Sequence, residues 1–396
     1  MTNYLGALDI GSGNTTFLLA KIDHTIHLVD YVDFPSQGMR KGTIEDSKAL
    51  TRALKDGLSP LSKKHATLPV AICLSQTGSH IRSIHYATNL PLTGFNHVIE
   101  KQNVIAVNRL AMEKKLPECQ LFLHHFKQYY TVDNSVIDNP CGHSGNQLSV
   151  HYCGLLGDTQ AIKDHIYMSN QFGFHVKELV FSGLASALAT TTTIEREHGV
   201  CVIDIGSEIT EFIAFKHQCP FALGTVPVGG KNFTHDLCSG LRMHLNDGEH
   251  LKIKQGIPQI EMDNQEEDFW MVGNQTIGDK KVKTKNVHVV LQARAQELFD
   301  YIQKSLKSTH RKEALLTGCI LTGGGALLKN IEKIATQVFQ CDCYVRGPLT
   351  VPDEKLQSPS YATCFGLLHY ALQQQVGSLK QSSHLPLWKR LSSWFS

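Results

Sequence analysis

The chain of 396 residues contains no stretch of about 18 uninterrupted apolar residues, so no part of it is expected to cross a bilayer as a helix. The first residues, Met1 to Ala7, lack a basic cluster followed by an apolar run, and no signal peptide is expected. An excess of either charge is also missing: the formal net charge is +2, which gives no whole-surface ground for a nucleic-acid partner, and none is expected. Tryptophan is scarce, with three in the chain, and two of them, Trp388 and Trp394, lie at its C-terminal end. The 11 cysteines are odd in number and irregular in spacing, which excludes a disulfide framework and points to a reducing, cytosolic compartment. Cys341 and Cys343 form a C-x-C, but no second pair stands at zinc-site spacing, so strand alternation accounts for them and no metal is expected there.

What the sequence does contain is an internal repeat. Residues 7–17 read Ala-Leu-Asp-Ile-Gly-Ser-Gly-Asn-Thr-Thr-Phe and residues 202–212 read Val-Ile-Asp-Ile-Gly-Ser-Glu-Ile-Thr-Glu-Phe. Asp9 matches Asp204, Gly11 matches Gly206, Ser12 matches Ser207, Thr15 matches Thr210 and Phe17 matches Phe212. Each copy follows one apolar run and leads into another, the pattern of a strand, a tight glycine turn and a second strand. Near the C-terminus a third element, Cys319-Ile-Leu-Thr-Gly-Gly-Gly-Ala-Leu-Leu-Lys, carries an apolar strand into Gly323, Gly324 and Gly325. The apolar spacing of Leu327, Leu328, Ile331 and Ile334 predicts a helix directly after it. A glycine turn at a helix start allows backbone N–H groups to approach an anion or a nucleotide closely.

In this order the three motifs resemble the phosphate-1, phosphate-2 and adenosine motifs of the actin/Hsp70/sugar-kinase superfamily. Within it the chain resembles the FtsA family, actin-like proteins of bacterial cell division. Phe181-Ser-Gly-Leu-Ala-Ser-Ala, Asp247-Gly-Glu-His-Leu-Lys-Ile-Lys and Leu387-Trp-Lys-Arg-Leu-Ser-Ser-Trp-Phe extend the likeness over nearly the whole chain. The resemblance implies an α/β, actin-like fold of two domains around a nucleotide cleft. It divides the chain into subdomain 1A (1–78 and 164–198), an inserted subdomain 1C (79–163), subdomain 2A (199–228 and 308–372, the latter returning to 1A) and subdomain 2B (229–307). Within 1C the sequence predicts a helix from Val98 to Lys115, strands over Gln120–Val132 and Gln147–Leu156, and a helix opening after Asp158.

The resemblance further implies that ATP and Mg²⁺ occupy the cleft. Asp9 and Asp204 would face the metal through water, since Mg²⁺ keeps most of its hydration shell. Gly11, Ser12, Gly13 and Asn14 would line the first phosphate loop, and Gly206, Ser207 and Thr210 the second. Adenosine would sit between Gly323, Gly324 and Gly325 and the helix carrying Glu249 and Lys252, which share a face three residues apart. The chain departs from the family at Glu208, which stands where a glycine is usual; an added carboxylate is expected to weaken ATP binding unless it turns away or joins the metal shell. Filament-forming relatives also carry a water-positioning glutamate at the helix after the strand Leu179 to Phe181. Ser182-Gly-Leu-Ala-Ser offers none, so no catalytic residue is assigned and turnover is expected to be slow.

Gln373 to Ser383 is rich in Gln, Ser and Gly, and a flexible linker is expected over 373–384. In the segment 385–396, Leu387, Trp388, Leu391, Trp394 and Phe395 fall within an arc of about 120° on a helical wheel, with Lys389 and Arg390 outside it. That is the pattern of an interfacial helix on an anionic membrane surface. The resemblance adds the FtsZ C-terminal tail as a partner, met by Arg294 and Glu297 of a helix predicted over Val287–Lys307. It also adds self-association into filaments, contacts with other divisome membrane proteins, and a place on the cytoplasmic face of the inner membrane at the division site. Two alternatives remain open at this point: a PilM-like scaffold of pilus assembly, and a sugar or small-acid kinase of the same superfamily.

Overall fold

The structure, a computed structural model, describes residues 4–65, 71–93, 97–257, 268–271, 280–307, 317–351 and 353–376. The first lobe is built on β1 (Tyr4–Ile10), β2 (Asn14–Ile22) and β3 (Ile26–Pro35), an antiparallel meander. A small hairpin, β4 (Met39–Arg40) and β5 (Thr43–Ile44), leads into α1 (Ser47–Lys64). The helix begins where it does because the Asp46 side chain accepts the N–H groups of Lys48 and Ala49, both at 3.0 Å. It then buries Leu50, Leu54, Leu58 and Leu61 on one face, each such burial contributing about 1.5–3 kcal/mol. Strand β6 (Ala71–Gln76) follows and pairs in parallel with β1.

The chain then leaves the sheet. It forms β7 (Arg82–Pro91), α2 (Lys101–Met112), β8 (Gln120–Val132), β9 (Ser135–Ile137) and β10 (Gln147–Asp158), which make a separate sheet in the order β7-β10-β8-β9 with its own apolar core. Both long strands lie where the sequence places them. Helix α2 is shorter at both ends than the expected span from Val98 to Lys115. Val98 is held extended in a bridge to Ser144, and the Glu100 N–H is taken by the Asn103 side chain at 2.9 Å, so the helix starts after Glu100. The inserted sheet leans on the second lobe. Ser83 Oγ donates to the Leu223 carbonyl at 2.7 Å, Gln128 Nε2 to that of Pro220 at 2.7 Å, and Thr225 Oγ1 to that of Ile81 at 3.1 Å. The chain returns through α3 (Thr159–Gln171), capped by Asp158, to β11 (His175–Phe181), which joins β6 in parallel.

Helices α4 (Ser182–Thr190) and α5 (Thr193–His198) lead to the second lobe, where β12 (Val200–Ile205), β13 (Thr210–Lys216) and β14 (Cys219–Val226) form a second antiparallel meander. Next come α6 (Gly230–Leu241), α7 (Leu245–Gln255), the paired strands β15 (Asp268–Met271) and β16 (Lys280–Lys283), and α8 (Thr284–Lys307). Helix α8 opens one turn before the expected Val287. The acidic and basic segments around β15 and β16 otherwise fall mostly outside the described residues. Strands β17 (Cys319–Thr322) and β18 (Cys343–Val345) then add in parallel beside β12, with α9 (Ile331–Phe339) between them. The order β14-β13-β12-β17-β18 therefore repeats β3-β2-β1-β6-β11, and the sequence repeat is the central hairpin of each.

The last of the described helices, α10 (Ala362–Val376), returns to the first lobe and crosses α4 between the two sheets. At the crossing a Cβ on Gly366 would lie 1.7 Å from the Ala185 carbonyl oxygen, so the two backbones touch. Val202, Ile213 and Ile320 of the second sheet share one core with α4, α10 and the first sheet. Helix α10 runs to Val376, past residue 373 where a linker was expected, because Gln373, Gln374 and Gln375 are competent helix formers. The proposed membrane residues Leu387, Trp388, Lys389, Arg390, Leu391, Trp394 and Phe395 lie outside the described residues. Among the described residues, no helix is long and apolar enough to cross a membrane.

Candidate functional site

The two repeated hairpins point their turns into one cleft of about 870 Å³ between the lobes, a volume in the range of small-molecule sites. Their geometry is the same. The Gly11 N–H donates to the Asn14 carbonyl at 3.0 Å, and the Gly206 N–H to the Ile209 carbonyl at 2.9 Å. In both turns a Cβ would stand 2.8 Å from that carbonyl oxygen, which is why each is glycine. The turns also pack on each other: a Cβ on Gly13 would come 2.7 Å from the Ser207 Cβ.

Asp9 and Asp204 stand next to the ends of the two first strands, Asp204 buried and Asp9 half-buried. Burial pushes the Asp9 carboxyl up to about 6, although the Ser75 hydroxyl donates to it at 2.5 Å. Burial, and then the charge of Asp9, raise Asp204 to about 6 as well, against a hydrogen bond from Thr363 Oγ1 at 3.2 Å. Directly across the ladder from Asp204 stands Glu211, on the same face and buried. Its carboxyl is pushed up to about 8 by burial and then by Asp204, while Ser182 and Thr77 hydrogen-bond to it. Its Oε1 has no partner among the described residues. Asp9 raises Asp204, both raise Glu211, and Glu211 keeps an unmatched oxygen; the three offer only oxygen donors, the kind that suits a hard divalent cation and its waters.

Sequence reading missed Glu211 and assigned Thr210 instead. Along β13 successive residues face opposite sides. Thr210 is fully buried away from the cleft, its hydroxyl on the Val228 carbonyl at 2.8 Å, and it is not among the residues that line the space. The cross-strand partner of each aspartate, Thr16 or Glu211, is the signal that finds the inward position. The segment Ser182-Gly-Leu-Ala-Ser at the start of α4 carries no carboxylate of its own, as read from the sequence, but one approaches it from outside. Glu211 reaches Ser182, the first residue of that helix, from the neighbouring lobe.

Gly323, Gly324 and Gly325 enter the cleft at the end of β17. Gly323 has φ +81°, and a Cβ there would meet Asp204 Oδ1 at 2.2 Å, so only glycine fits beside the carboxylate. The turn runs into a short 3₁₀ segment, Gly324–Leu327, and the α-helix starts only at Ile331, later than the apolar spacing suggested. The break falls at Asn330, which is left-handed at φ +62° and donates its side-chain amide to the Ile257 carbonyl at 2.6 Å. Glu249 and Lys252 face the same space from α7 and pair at 2.8 Å. Lys252 also donates to the Gly230 carbonyl at 3.1 Å and to Thr234 Oγ1 at 3.0 Å, which locks α7 onto the start of α6.

Glu208 lines the cleft, but its carboxylate is already engaged by Lys231 and by the turn after β4. Lys231, another residue that sequence reading missed, also reaches the Ser12 carbonyl at 3.4 Å. Arg294 and Glu297 are not among the residues that line this cleft. Arg294 makes a two-pronged pair with Asp236 of α6, at 2.5 and 3.0 Å, and donates to Glu297 at 2.6 Å, while Glu297 stays exposed.

Twin meander sheets, two crossing helices between them, and hairpin turns converging on a carboxylate-floored cleft define an actin-like protein with an inserted sheet. Comparison with known proteins agrees and goes further. The family model described as "Cell division protein FtsA" matches residues 201–366, and that described as "SHS2 domain inserted in FTSA" matches residues 78–153. Together they take in more than half of the sequence, and the chain belongs to the FtsA family of cell-division proteins. A relative from Neisseria meningitidis serogroup B, named cell division protein FtsA, is 26% identical over 384 residues, covering 96% of this chain and 92% of its own. Among solved structures, the PilM–PilN type IV pilus biogenesis complex aligns with a TM-score of 0.65 at 15% identity, over 94% of this chain and 99% of the other. MreB 5 of Spiroplasma citri bound to AMPPNP aligns with a TM-score of 0.57 at 13% identity, over 96% and 99%. These two likenesses are of fold.

Proposed function

We propose that the protein is a nucleotide-responsive adaptor of cell division, which binds ATP with Mg²⁺ in the cleft and ties FtsZ polymers to the inner membrane. The observation that carries this reading is the convergence of Asp9, Asp204 and Glu211 beneath the two glycine turns, in a chain of the FtsA family. Asp9, Asp204 and Glu211 would hold the cation, whose charge neutralises the phosphates and the floor of the cleft together. The turns at Gly11–Asn14 and Gly206–Ser207 would take the phosphates. Gly323–Gly325, with Glu249 and Lys252, would take the nucleoside. A ligand bridging both lobes favours the closed form over the open one, and so acts as a conformational effector whether or not it is turned over.

In this reading 1–78 and 164–198 form subdomain 1A, 79–163 forms 1C, 199–228 with 308–372 forms 2A, and 229–307 forms 2B, which takes the FtsZ tail at Arg294 and Glu297. The amphipathic segment 385–396 docks on anionic lipid at the cytoplasmic face of the division site. One short helix binds a membrane weakly, so self-association into filaments supplies avidity. The test is co-sedimentation with anionic liposomes of the full chain and of a chain ending at Ser383, with and without FtsZ-tail peptide. Only the full chain is expected to pellet, carrying the peptide with it. Equal recovery of both chains in the supernatant removes the membrane role, and pelleting without peptide removes the tail-binding role.

A further inference from the structure

At the end of β17 remote from the cleft, about 10 Å along the strand, the thiol of Cys319 meets the pair Cys341 and Cys343, which follows 22 residues later. The sulfur atoms of Cys319, Cys341 and Cys343 all lie within 4.8 Å of one another, and those of Cys319 and Cys341 are 3.8 Å apart. Cys319 and Cys343 are partners across the parallel β17–β18 ladder, and Cys341 sits on the turn between α9 and β18. Backbone contacts fix that turn. The Cys319 N–H donates to the Asp342 carbonyl at 2.9 Å, and Gly318 holds φ +87°. A Cβ on Gly318 would be 2.2 Å from the same carbonyl oxygen, so glycine is what allows the 341–343 segment to lie so close. A fourth thiol, Cys201, is the ladder partner of Cys319 on the other side and hydrogen-bonds to it.

We propose that Cys319, Cys341 and Cys343 form a binding site for a thiophilic d¹⁰ metal ion, on the far side of the second lobe from the nucleotide cleft. Tetrahedral thiolate coordination with bonds of about 2.3 Å places sulfurs about 3.8 Å apart, the separation already present between Cys319 and Cys341. Thiolates select Cu(I) and Zn(II) over the hard cations that suit the cleft, so the two sites do not compete for one ion. Cys319 and Cys343 are buried in the apolar core of the lobe, while Cys341 is half-buried and gives an ion its way in. Binding forms metal–sulfur bonds and releases the thiol protons to solvent, so uptake strengthens as pH rises. Cu(I) is satisfied by the three thiolates. Zn(II) takes a fourth ligand, which Cys201, next to Cys319 on the ladder but outside the cluster of three, supplies by a shift of its side chain.

The test uses the full chain, reduced and freed of metal, in competition with a chromophoric chelator, with Zn(II) in one arm and Cu(I) under argon in the other. The wild type and Cys119→Ser, an exposed cysteine elsewhere, are expected to withdraw one equivalent, and Cys341→Ser none. Co(II) added to the wild type is expected to give thiolate-to-metal charge-transfer absorption, which does not depend on how any variant folds. Loss of uptake in Cys201→Ser in the Zn(II) arm alone identifies zinc, and uptake in the Cu(I) arm alone identifies copper. A wild type that withdraws neither metal, or a folded Cys341→Ser that withdraws as much as the wild type, overturns the site and leaves three small apolar side chains in a sheet.

Discussion

The carboxylate of Glu208, on the second lobe, accepts the backbone N–H of Lys41, on the first, at 2.7 Å. The same carboxylate takes the Lys231 ammonium at 2.8 Å. Burial works against its charge, yet the Lys231 ammonium and the Lys41 N–H hold the carboxyl below its ordinary value. The Glu208 side chain of the second turn thus bridges the cleft itself, making a contact between lobes that in the proposed function falls to the nucleotide.

Replacing Glu208 by glycine is therefore expected to have two opposite effects. The nucleotide-free protein loses about 1–3 kcal/mol with the charge-assisted contacts. Nucleotide affinity rises about tenfold, as a like charge leaves the phosphate site and the backbone gains room. Thermal unfolding without nucleotide and titration with a fluorescent ATP analogue measure the two. An affinity that stays the same or falls shows that Glu208 is not in the way.

The cleft carboxyls set a pH dependence whose sign follows from their raised values. Asp9 and Asp204 at about 6 and Glu211 at about 8 bind protons more tightly folded than unfolded. Their protonated forms favour the fold at low pH, and that contribution is lost as pH rises from the unfolded value of about 4 through 6 and on to 8. The nucleotide-free protein is expected to melt at a higher temperature at pH 6 than at pH 8, and Glu211→Gln to flatten the profile between them. Saturating Mg²⁺ with ATP should also flatten it. A melting profile that rises from pH 6 to pH 8 would contradict the arrangement.

Gly323→Ala places a methyl group against Asp204 Oδ1 and forces a left-handed backbone on an L-residue. The expected cost is about 1–3 kcal/mol of stability, with nucleotide binding weakened in step because Asp204 must move. Gly324→Ala is the control, since its Cβ would meet nothing closer than Ser360 Oγ at 3.5 Å. Equal effects of the two changes, read by denaturant unfolding, would sink the close-approach argument.

Arg294 and Glu297 separate a packing role from a surface one. Arg294→Ala leaves Asp236 unpaired at the α6–α8 contact and is expected to cost about 1–2 kcal/mol by urea titration. Glu297→Lys, at an exposed position, should leave stability within about 0.5 kcal/mol. It should change the salt dependence of FtsZ-tail peptide binding by fluorescence anisotropy. Unaltered peptide binding would remove Glu297 from the proposed docking face.

The twin hairpins were legible because Asp9-Ile-Gly and Asp204-Ile-Gly repeat as a local pattern, and Gly11 and Gly206 meet the same carbonyl contact. Matching Thr15 to Thr210 was a correct alignment of sequence but carried no information about strand face, so Glu211 was passed over for its outward neighbour. Lys231 was invisible for a different reason: its role depends on where α6 starts relative to the Ser12 turn, a contact 219 residues away in sequence. The same holds for Cys319, which only the β17–β18 ladder brings to Cys341 and Cys343. Strands β8 and β10 were readable from their own apolar runs, whereas the ends of α2 were set by the bridge at Val98 and the cap at Glu100.

Where Gly366 of α10 rests on the Ala185 carbonyl, no side chain stands between the two helices that join the lobes. Interlocked side chains would act as a ratchet, holding discrete settings that must be unpacked one at a time. A bare backbone contact acts as a bearing. Resistance to turning then comes from the apolar core around that point and from the rim of the cleft, where Glu208 hooks Lys41 and the inserted sheet props β14. A change of one hydrogen bond at that rim is transmitted as an angle, and its displacement grows with distance from the pivot toward the outer ends of both lobes.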